Sequence, residues 1–483
     1  MKLLPVALQP GARIDGFLLE ERIHRGSMSV LWRVRSEADS APMVMKIPLL
    51  REEDDAAAIV GFEVEQMILP TLSGIHVPRF VVAGDFSEQP YLVMEQIGGA
   101  SLRSRLDEAP LPASEVASIG ARVAAALHHL HSQGVIHLDV KPSNVMFREN
   151  GAAVLIDFGL ARHDRLPDLL AEEFRLPMGT GPYISPEQVL RIRNEPRSDL
   201  FSLGVVLYLL ATGKRPFGNP TTVAGLRRRL YRDPVPPRAC NPECPPWLQE
   251  IILRCLERNP EDRYGTAAQL ALDLQFPEQV ELTGRANRTR RDRFGIVVKR
   301  WARSLGATSD PAQSATAQVA RGPIVLVAID LTQDSETLDD ALRLTTRRVF
   351  QTEPGARLAC VTVLKTSRLA MDVGVDEEGR NLHVQKLVEL RHWVGPLRIP
   401  PDRITFHVLK APDPGAAIVD FARANQVDQI VIGSRGSSAL RRYLGSVSSQ
   451  VVAQAACTVS VVKAPSIASV PSSAAREPRW YDE

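Results

Sequence analysis

Four short segments hold the side chains best suited to chemistry. Val44-Met-Lys46 closes an apolar stretch with an ammonium group, and Phe62-Glu-Val-Glu65 follows with a carboxylate. His137-Leu-Asp139-Val-Lys141-Pro-Ser-Asn144 sets a carboxylate, an ammonium and an amide close together, and Asp157-Phe-Gly159 adds a further carboxylate. Phosphoryl transfer asks for little covalent help but for much positioning and charge neutralisation, which is why lysine, carboxylate, amide and metal recur together. Taken singly, each residue has an ordinary explanation: an Asp-Phe-Gly tripeptide is common, and most Glu–Lys pairs decorate surfaces. Their order and joint presence carry the weight.

The elements that must hold these groups can be read from periodicity. Lys46 ends a predicted strand, and Glu65 lies on a predicted helix. Tyr91-Leu-Val-Met-Glu95 reads as a strand running into a bend, and Ala153-Val-Leu-Ile156 as a strand that delivers Asp157 to a turn. Residues 12–275 open with short alternating segments and then turn strongly helical, the order of an α+β chain in two lobes. The longest apolar run, Leu203–Ala211, suits a buried helix and falls short of the roughly 18 residues that span a bilayer.

The whole chain has 483 residues, of which 44% are hydrophobic and 24% charged, as in ordinary globular protein. Its formal net charge of +2 gives no reason to expect nucleic acid as a partner. Five scattered cysteines argue for a reducing compartment rather than a disulfide scaffold. Cys240 and Cys244 find no further ligand at zinc spacing. Met1-Lys-Leu-Leu-Pro lacks the apolar core of a signal peptide, so a cytoplasmic location is expected.

Read together, the four segments resemble the bacterial branch of the eukaryotic-like (Hanks-type) serine/threonine protein kinases. The resemblance implies the bilobal protein kinase fold and transfer of the γ-phosphate of ATP, with Mg²⁺, to Ser/Thr hydroxyls of protein substrates. Asp139 would accept or orient the substrate hydroxyl, and Lys141 would neutralise the transferred phosphoryl. Asn144 and Asp157 would hold metal. Lys46, Glu65, Gly26, Ser27, Val30, Met94, Glu95 and Ile97 would make up the ATP site, with Met94 behind the adenine and the Glu95–Ile97 backbone at its edge. Ser185-Pro-Glu187, Asp199-Leu-Phe-Ser-Leu-Gly204 and Arg263 match the family's structural anchors, with Glu187 and Arg263 as a buried ion pair.

Two departures set this chain apart. The glycine-rich loop G-x-G-x-x-G here reads His24-Arg-Gly26-Ser-Met-Ser29, which keeps only the middle glycine. Leu138 stands where the catalytic loop usually carries the arginine that binds an activation-segment phosphate. From Leu160 through Gly179 there is no Ser, Thr or Tyr, so receiver and phosphosite are missing together. The expectation is a kinase not switched by phosphorylation of that segment. The rival expectation, favoured by the broken loop, is a nucleotide-responsive scaffold with a weak or inactive catalytic lobe.

Residues 276–322 change character. Eight Arg and Lys lie between Gly284 and Arg303 against one acid, Asp292, and a Ser/Ala/Thr-rich tether follows. A basic amphipathic helix of this kind reads as a solvated tether or as packing on its own lobe, with an acidic membrane surface as the alternative. Residues 323–464 return to alternating strands and helices, which predicts an α/β doubly wound parallel sheet. Gln429-Ile-Val-Ile-Gly433-Ser-Arg-Gly436, then Leu444-Gly445-Ser446, resembles the C-terminal signature of universal stress proteins. That resemblance implies a Rossmann-like domain, homodimerisation through it, and a nucleotide site at Asp330, Gly433, Gly436, Gly445 and Ser446. The ATP-binding form has nine residues before the Gly-Ser pair, whereas Ser437–Leu444 makes eight. One residue fewer turns a helix by about 100°. Residues 465–483 read as a disordered tail.

Overall fold

The computed structural model describes residues 8–26, 28–37, 40–49, 56–84, 89–174, 176–290, 292, 294–304, 323–332, 335–352, 355–366, 381–400, 403–425, 427–434 and 445–463. The chain forms two compact units, residues 1–320 with 373–388, and residues 321–372 with 389–483.

The first unit opens with an antiparallel sheet in the order β1-β2-β3-β4-β6-β5. Its strands are β1 (Arg13–Ile14), β2 (Phe17–Arg25), β3 (Ser29–Ser36), β4 (Met43–Pro48), β5 (Phe80–Ala83) and β6 (Leu92–Glu95), with helix α1 (Ala56–Ile68) between β4 and β5. Period-two alternation sorts the side chains by face. Val30, Trp32 and Val34 of β3 and Met43, Met45 and Ile47 of β4 join Phe17, Leu19 and Val93 in one buried cluster. Lys46, between Met45 and Ile47, is thereby turned to the other face. Cross-strand pairing puts Leu31, Leu92 and, beside Val44, Met94 on that same face.

The larger lobe is mainly helical: α2 (Ala113–Ser132), α3 (Leu169–Glu173), α4 (Pro186–Val189), α5 (Arg197–Thr212), α6 (Val223–Arg227), α7 (Pro237–Cys240), α8 (Pro246–Cys255), α9 (Ala267–Gln275) and α10 (Phe294–Ser304). Two small antiparallel pairs, β7 (Val135–Ile136) with β10 (Arg162–His163) and β8 (Val145–Phe147) with β9 (Ala153–Leu155), carry the loops that bear Asp139 and Asp157. Helix α5 is buried from Ser198 to Thr212, as its unbroken apolar run requires, and packs against α2 and α8. It ends at Gly213, whose φ of +68° allows its N–H to reach Leu209 O at 2.8 Å.

Much of the basic run after α9 is neutralised within this lobe. Arg285 pairs with Glu250 at 3.0 Å, while Arg288 and Arg300 converge on Asp233 and Asp292. Arg227 donates to Ser304 O at 3.1 Å and holds the end of α10. No helix among the described residues is long and apolar enough to cross a membrane.

The second unit is a five-stranded, all-parallel sheet in the order β13-β12-β11-β14-β15. Its elements run β11 (Ile324–Ala328), α11 (Glu336–Thr352), β12 (Arg357–Lys365), the C-terminal part of α12 (Leu382–Val394) from Glu389 on, β13 (Ile404–Ala411), α13 (Pro414–Ala424), β14 (Gln429–Ser434), α14 (Ser446–Gln454) and β15 (Thr458–Lys463). β11 is buried along its whole length, as expected of a central parallel strand covered on both faces. The apolar runs of the sequence read as strands at Ile324–Ile329, Ala356–Leu364, Ile404–Lys410, Gln429–Gly433 and Thr458–Lys463, and each observed strand starts and stops within a residue of its run. Helix α14, read from the sequence as Ser446–Ala456, stops two residues earlier, because Ala456 belongs to the turn into β15.

Candidate active site

Lys46 lies at the centre of the site. Its Nζ donates to Glu65 Oε2 at 2.5 Å and to Asp157 Oδ1 at 2.8 Å, so strand β4, helix α1 and the loop after β9 meet at one ammonium group. Glu65 is fully buried, and its other oxygen accepts the Phe158 N–H at 3.3 Å. Burial pulls the Lys46 pKa down, but the pull of Asp157 and Glu65 outweighs it and leaves it above its ordinary value. Burial pushes Glu65 up, with Lys46 only partly offsetting it, while the neighbouring Lys46 charge holds Asp157 down to about 2.

Helix α1 approaches the Asp157-Phe-Gly159 backbone through a glycine. A Cβ on Gly61 would stand 3.1 Å from Gly159 O, and one on Gly159 would stand 3.2 Å from Gly61 O. Gly61 is one turn ahead of Glu65 on the same helix face. The close approach therefore sets how far Glu65 can reach.

The second cluster surrounds Asp139, which is buried. Its Oδ2 accepts Lys141 Nζ at 2.6 Å and Asn144 Nδ2 at 3.0 Å, and its Oδ1 accepts the Thr180 hydroxyl at 2.6 Å. Lys141 Nζ also donates to Thr180 Oγ1 at 3.1 Å. The loop owes its shape to a buried carboxylate. Asp199 accepts the N–H groups of His137 at 2.9 Å and Leu138 at 2.8 Å, and Gln188 donates to Leu138 O at 2.8 Å. These bonds keep Leu138 at φ +59°, a conformation costly for a branched side chain unless its surroundings impose it. Asp157 also adopts positive φ, +69°.

The other expected ATP-site residues divide. Met94 is buried on the Lys46 face. Glu95 directs its carboxylate to Arg148, at 2.9 Å from Nη2, and the hydrogen bond from Arg148 holds its pKa low. The Glu95 N–H is taken by Arg79 O and the Gln96 N–H by Pro42 O, both at 2.9 Å, while Ile97 is buried beside them. Gly26 donates its N–H to Ser29 O at 2.9 Å, closing the β2–β3 hairpin, and a Cβ there would meet only ordinary contacts. Ser27 lies outside the described residues. Val30 is a correction: it pairs with Ile47 and sits in the cluster on the opposite sheet face. Leu31, cross-strand from Lys46, has the place expected of it. A one-residue offset in a strand reverses the face.

Glu187 and Arg263 form the buried ion contact expected of them, at 2.6 Å. Sequence reasoning missed Gln188, Arg193 and Arg229, whose partners lie far away along the chain. Arg229, fully buried on the turn after α6, donates to the carbonyl oxygens of Ile184, of Gly181 at 2.8 Å and of Leu226 at 3.1 Å, over the Phe217 ring. Burial pulls its pKa down to about 10, which leaves it charged at neutral pH.

Residues 17–275, over half of the chain, match the protein kinase domain family. The chain belongs to the protein kinase family. It is 31% identical over 254 residues to a probable serine/threonine-protein kinase of Clostridium perfringens, covering 52% of this chain and 37% of that one. It is 32% identical over 292 residues to the serine/threonine-protein kinase PknB of Mycolicibacterium smegmatis, covering 57% and 46%. The match thus spans less than half the length of either relative. The solved PknI kinase domain of Mycobacterium tuberculosis aligns over 56% of this chain and 99% of that one, at 22% identity and a TM-score of 0.45. The resemblance to bacterial Hanks-type kinases is borne out, as is the two-part fold.

Residues 323–463 match the universal stress protein family. There, Asp330 follows the end of β11 and Gly433 lies near the end of β14, on adjacent parallel strands with Ala328 beside Ile432. This is the topological switch point, where ligands of open α/β sheets bind. Asp330 Oδ1 accepts the Thr332 N–H at 3.0 Å. Gly445 precedes α14, which Ser446 begins. Gly436 lies outside the described residues.

Proposed function

We propose that this chain is an active protein Ser/Thr kinase that uses ATP and Mg²⁺, with residues 12–275 as its catalytic domain. The observation that carries the reading is the joint geometry of Lys46, bonded to both Glu65 and Asp157, and of Asp139, bonded to Lys141 and Asn144. Lys46, fixed by Glu65, holds the α/β-phosphates. The adenine edge is left the Glu95 carbonyl and the Ile97 N–H, since the Glu95 and Gln96 N–H groups are spent internally. Thr180 supports the role given to Asp139: a hydroxyl fits 2.6 Å from its Oδ1 with Lys141 3.1 Å away. A substrate hydroxyl brought there would pass its proton to Asp139, and Lys141 would neutralise the transferring phosphoryl.

The donor set fits a hard cation. Asp157, whose side chain is 42% exposed, and Asn144 offer a carboxylate and an amide oxygen, the ligands Mg²⁺ prefers. A metal held by Asp157 and Asn144 would supply neutralisation of charge on the β- and γ-phosphates. A binding titration with Mg·ATP and a phosphotransfer assay on a Ser/Thr-containing protein test the reading together. Lys46→Met should abolish transfer, and undiminished transfer in that variant would refute the assignment.

A second reading rests on Gly26. Its amide, at the one glycine the broken loop keeps, is committed to Ser29 O. That favours a scaffold that binds nucleotide with little turnover. Saturable Mg·ATP binding without transfer to any protein would decide for it. We assign homodimerisation and any regulation to residues 323–464, and sedimentation of the full chain with and without ATP tests both.

A further inference from the structure

A phosphate on an activation segment orders it by pairing with arginine. This chain has no hydroxyl from Leu160 to Gly179 and a buried leucine at position 138, yet its segment is held by charge. Arg193, in the loop between α4 and α5, donates Nε to both oxygens of Asp168, at 3.0 and 2.9 Å. Its Nη2 donates to Leu160 O at 3.0 Å and Ala161 O at 3.3 Å, just past Asp157-Phe-Gly159. Arg162 Nε adds a contact 3.6 Å from Asp168. The two main partners are largely out of water, at 7% and 17% exposure. Ion pairs in such surroundings are far less screened than surface pairs.

Asp168 also acts on the segment itself. Its Oδ1 accepts the Ala171 N–H at 3.3 Å and caps α3. Helix α3 buries Leu169 and Leu170 and packs against α1, the helix that carries Glu65 to Lys46. One carboxylate thus links an arginine anchored in the helical lobe, the backbone after the metal-binding loop, and the helix that braces α1. A helix this short would not form without such support.

We infer that Arg193 and Asp168 are a positioning pair: the segment's own carboxylate takes the part of the missing phosphate and holds the Lys46–Glu65 arrangement permanently. The inference deepens the proposed kinase activity and rests on it. Neither residue touches the reacting atoms, so the pair acts on turnover by keeping α1 and the segment in place.

The test uses the full chain as wild type, Asp168→Asn, Asp168→Glu and Arg193→Gln. Steady-state phosphotransfer and hydrogen exchange over residues 160–174 are measured on each. Asp168→Asn and Arg193→Gln should lower kcat about 10- to 100-fold, with the KM for ATP moving less than about threefold, because the loss lies in assembling the site rather than in nucleotide contacts. Exchange over 160–174 should quicken in both. Asp168→Glu, which keeps the carboxylate, should recover most of the rate and the protection. Wild-type rates in Asp168→Asn, or unchanged exchange in both Asp168→Asn and Arg193→Gln, would overturn the pair. If wild type itself transfers no phosphate, the kinase reading fails, and the exchange data alone decide whether the pair orders the segment.

Discussion

Gly61→Val is the perturbation that follows most directly from the packing of α1. A Cβ at this position would stand 3.1 Å from Gly159 O and 3.8 Å from Gly159 C. The obstacle is backbone, so it cannot swing aside as a side chain would. Alanine needs only a few tenths of an ångström of relief, and its gain in helix propensity, about 1 kcal/mol, offsets much of the strain. Valine adds two γ-carbons with little rotamer freedom, and overpacking of this kind costs about 1–3 kcal/mol. The cheapest relief moves α1 outward by roughly 1 Å, which takes the 2.5 Å Lys46–Glu65 contact beyond hydrogen-bond range. A displacement of that size at a positioning group lowers rates by about 100-fold. Steady-state kinetics beside thermal melts should show Gly61→Ala within about threefold of wild type and Gly61→Val down at least about tenfold while still folded. A folded Gly61→Val enzyme with the wild-type kcat/KM would refute the claim that this contact sets the reach of Glu65.

Other consequences are simpler to test. Arg229→Ala strips hydrogen bonds from the carbonyls of Gly181 and Ile184, so the KM for a protein substrate should rise more than that for ATP, and the melting temperature should fall. Burial pushes the Cys244 thiol up to about 11 and Cys255 up to about 12, and holds Cys360 well above the usual range. Iodoacetamide at pH 8 should therefore spare these three in the native protein and modify all five cysteines after denaturation. Asp157 is depressed to about 2, so its contribution to folding is present above its unfolded value near 3.8 and lost as pH falls through 2. Asp157→Asn should flatten the acid limb of the stability curve across that window, and an unchanged limb would contradict the Lys46–Asp157 pairing.

Chemistry makes much of this site legible in the sequence itself. Lys46, Glu65, Asp139, Lys141, Asn144 and Asp157 have to be the residue types they are, and each sits in a short segment whose order along the chain identifies it. Strands of the second unit are equally plain, because a buried parallel strand such as Ile324–Ala328 is an unbroken apolar run between polar turns. The features that sequence does not reveal depend on partners distant along the chain. Nothing local separates Arg193 from its neighbour Arg191, yet only the fold brings Arg193 to Asp168. Arg229 lies in a run of arginines that looks solvated but is fully buried. Val30 falls on the unexpected face because an irregular glycine loop hides the register of β3, which pairing with Ile47 fixes. The basic run after α9 looks like free charge, whereas Glu250, Asp233 and Asp292 absorb much of it.

Whether the Asp139 and Lys46 clusters form a working phosphotransfer site is decided most directly with γ-labelled ATP. Full-length wild type and Asp139→Asn are incubated side by side with Mg²⁺ and a protein substrate, and label on Ser and Thr is measured. Wild type should place label on Ser and Thr, and Asp139→Asn should lose at least about 100-fold of it, while ATP affinity stays close to wild type. Equal labelling by the two proteins, or ATP bound by wild type with no label on any hydroxyl, would contradict a working site.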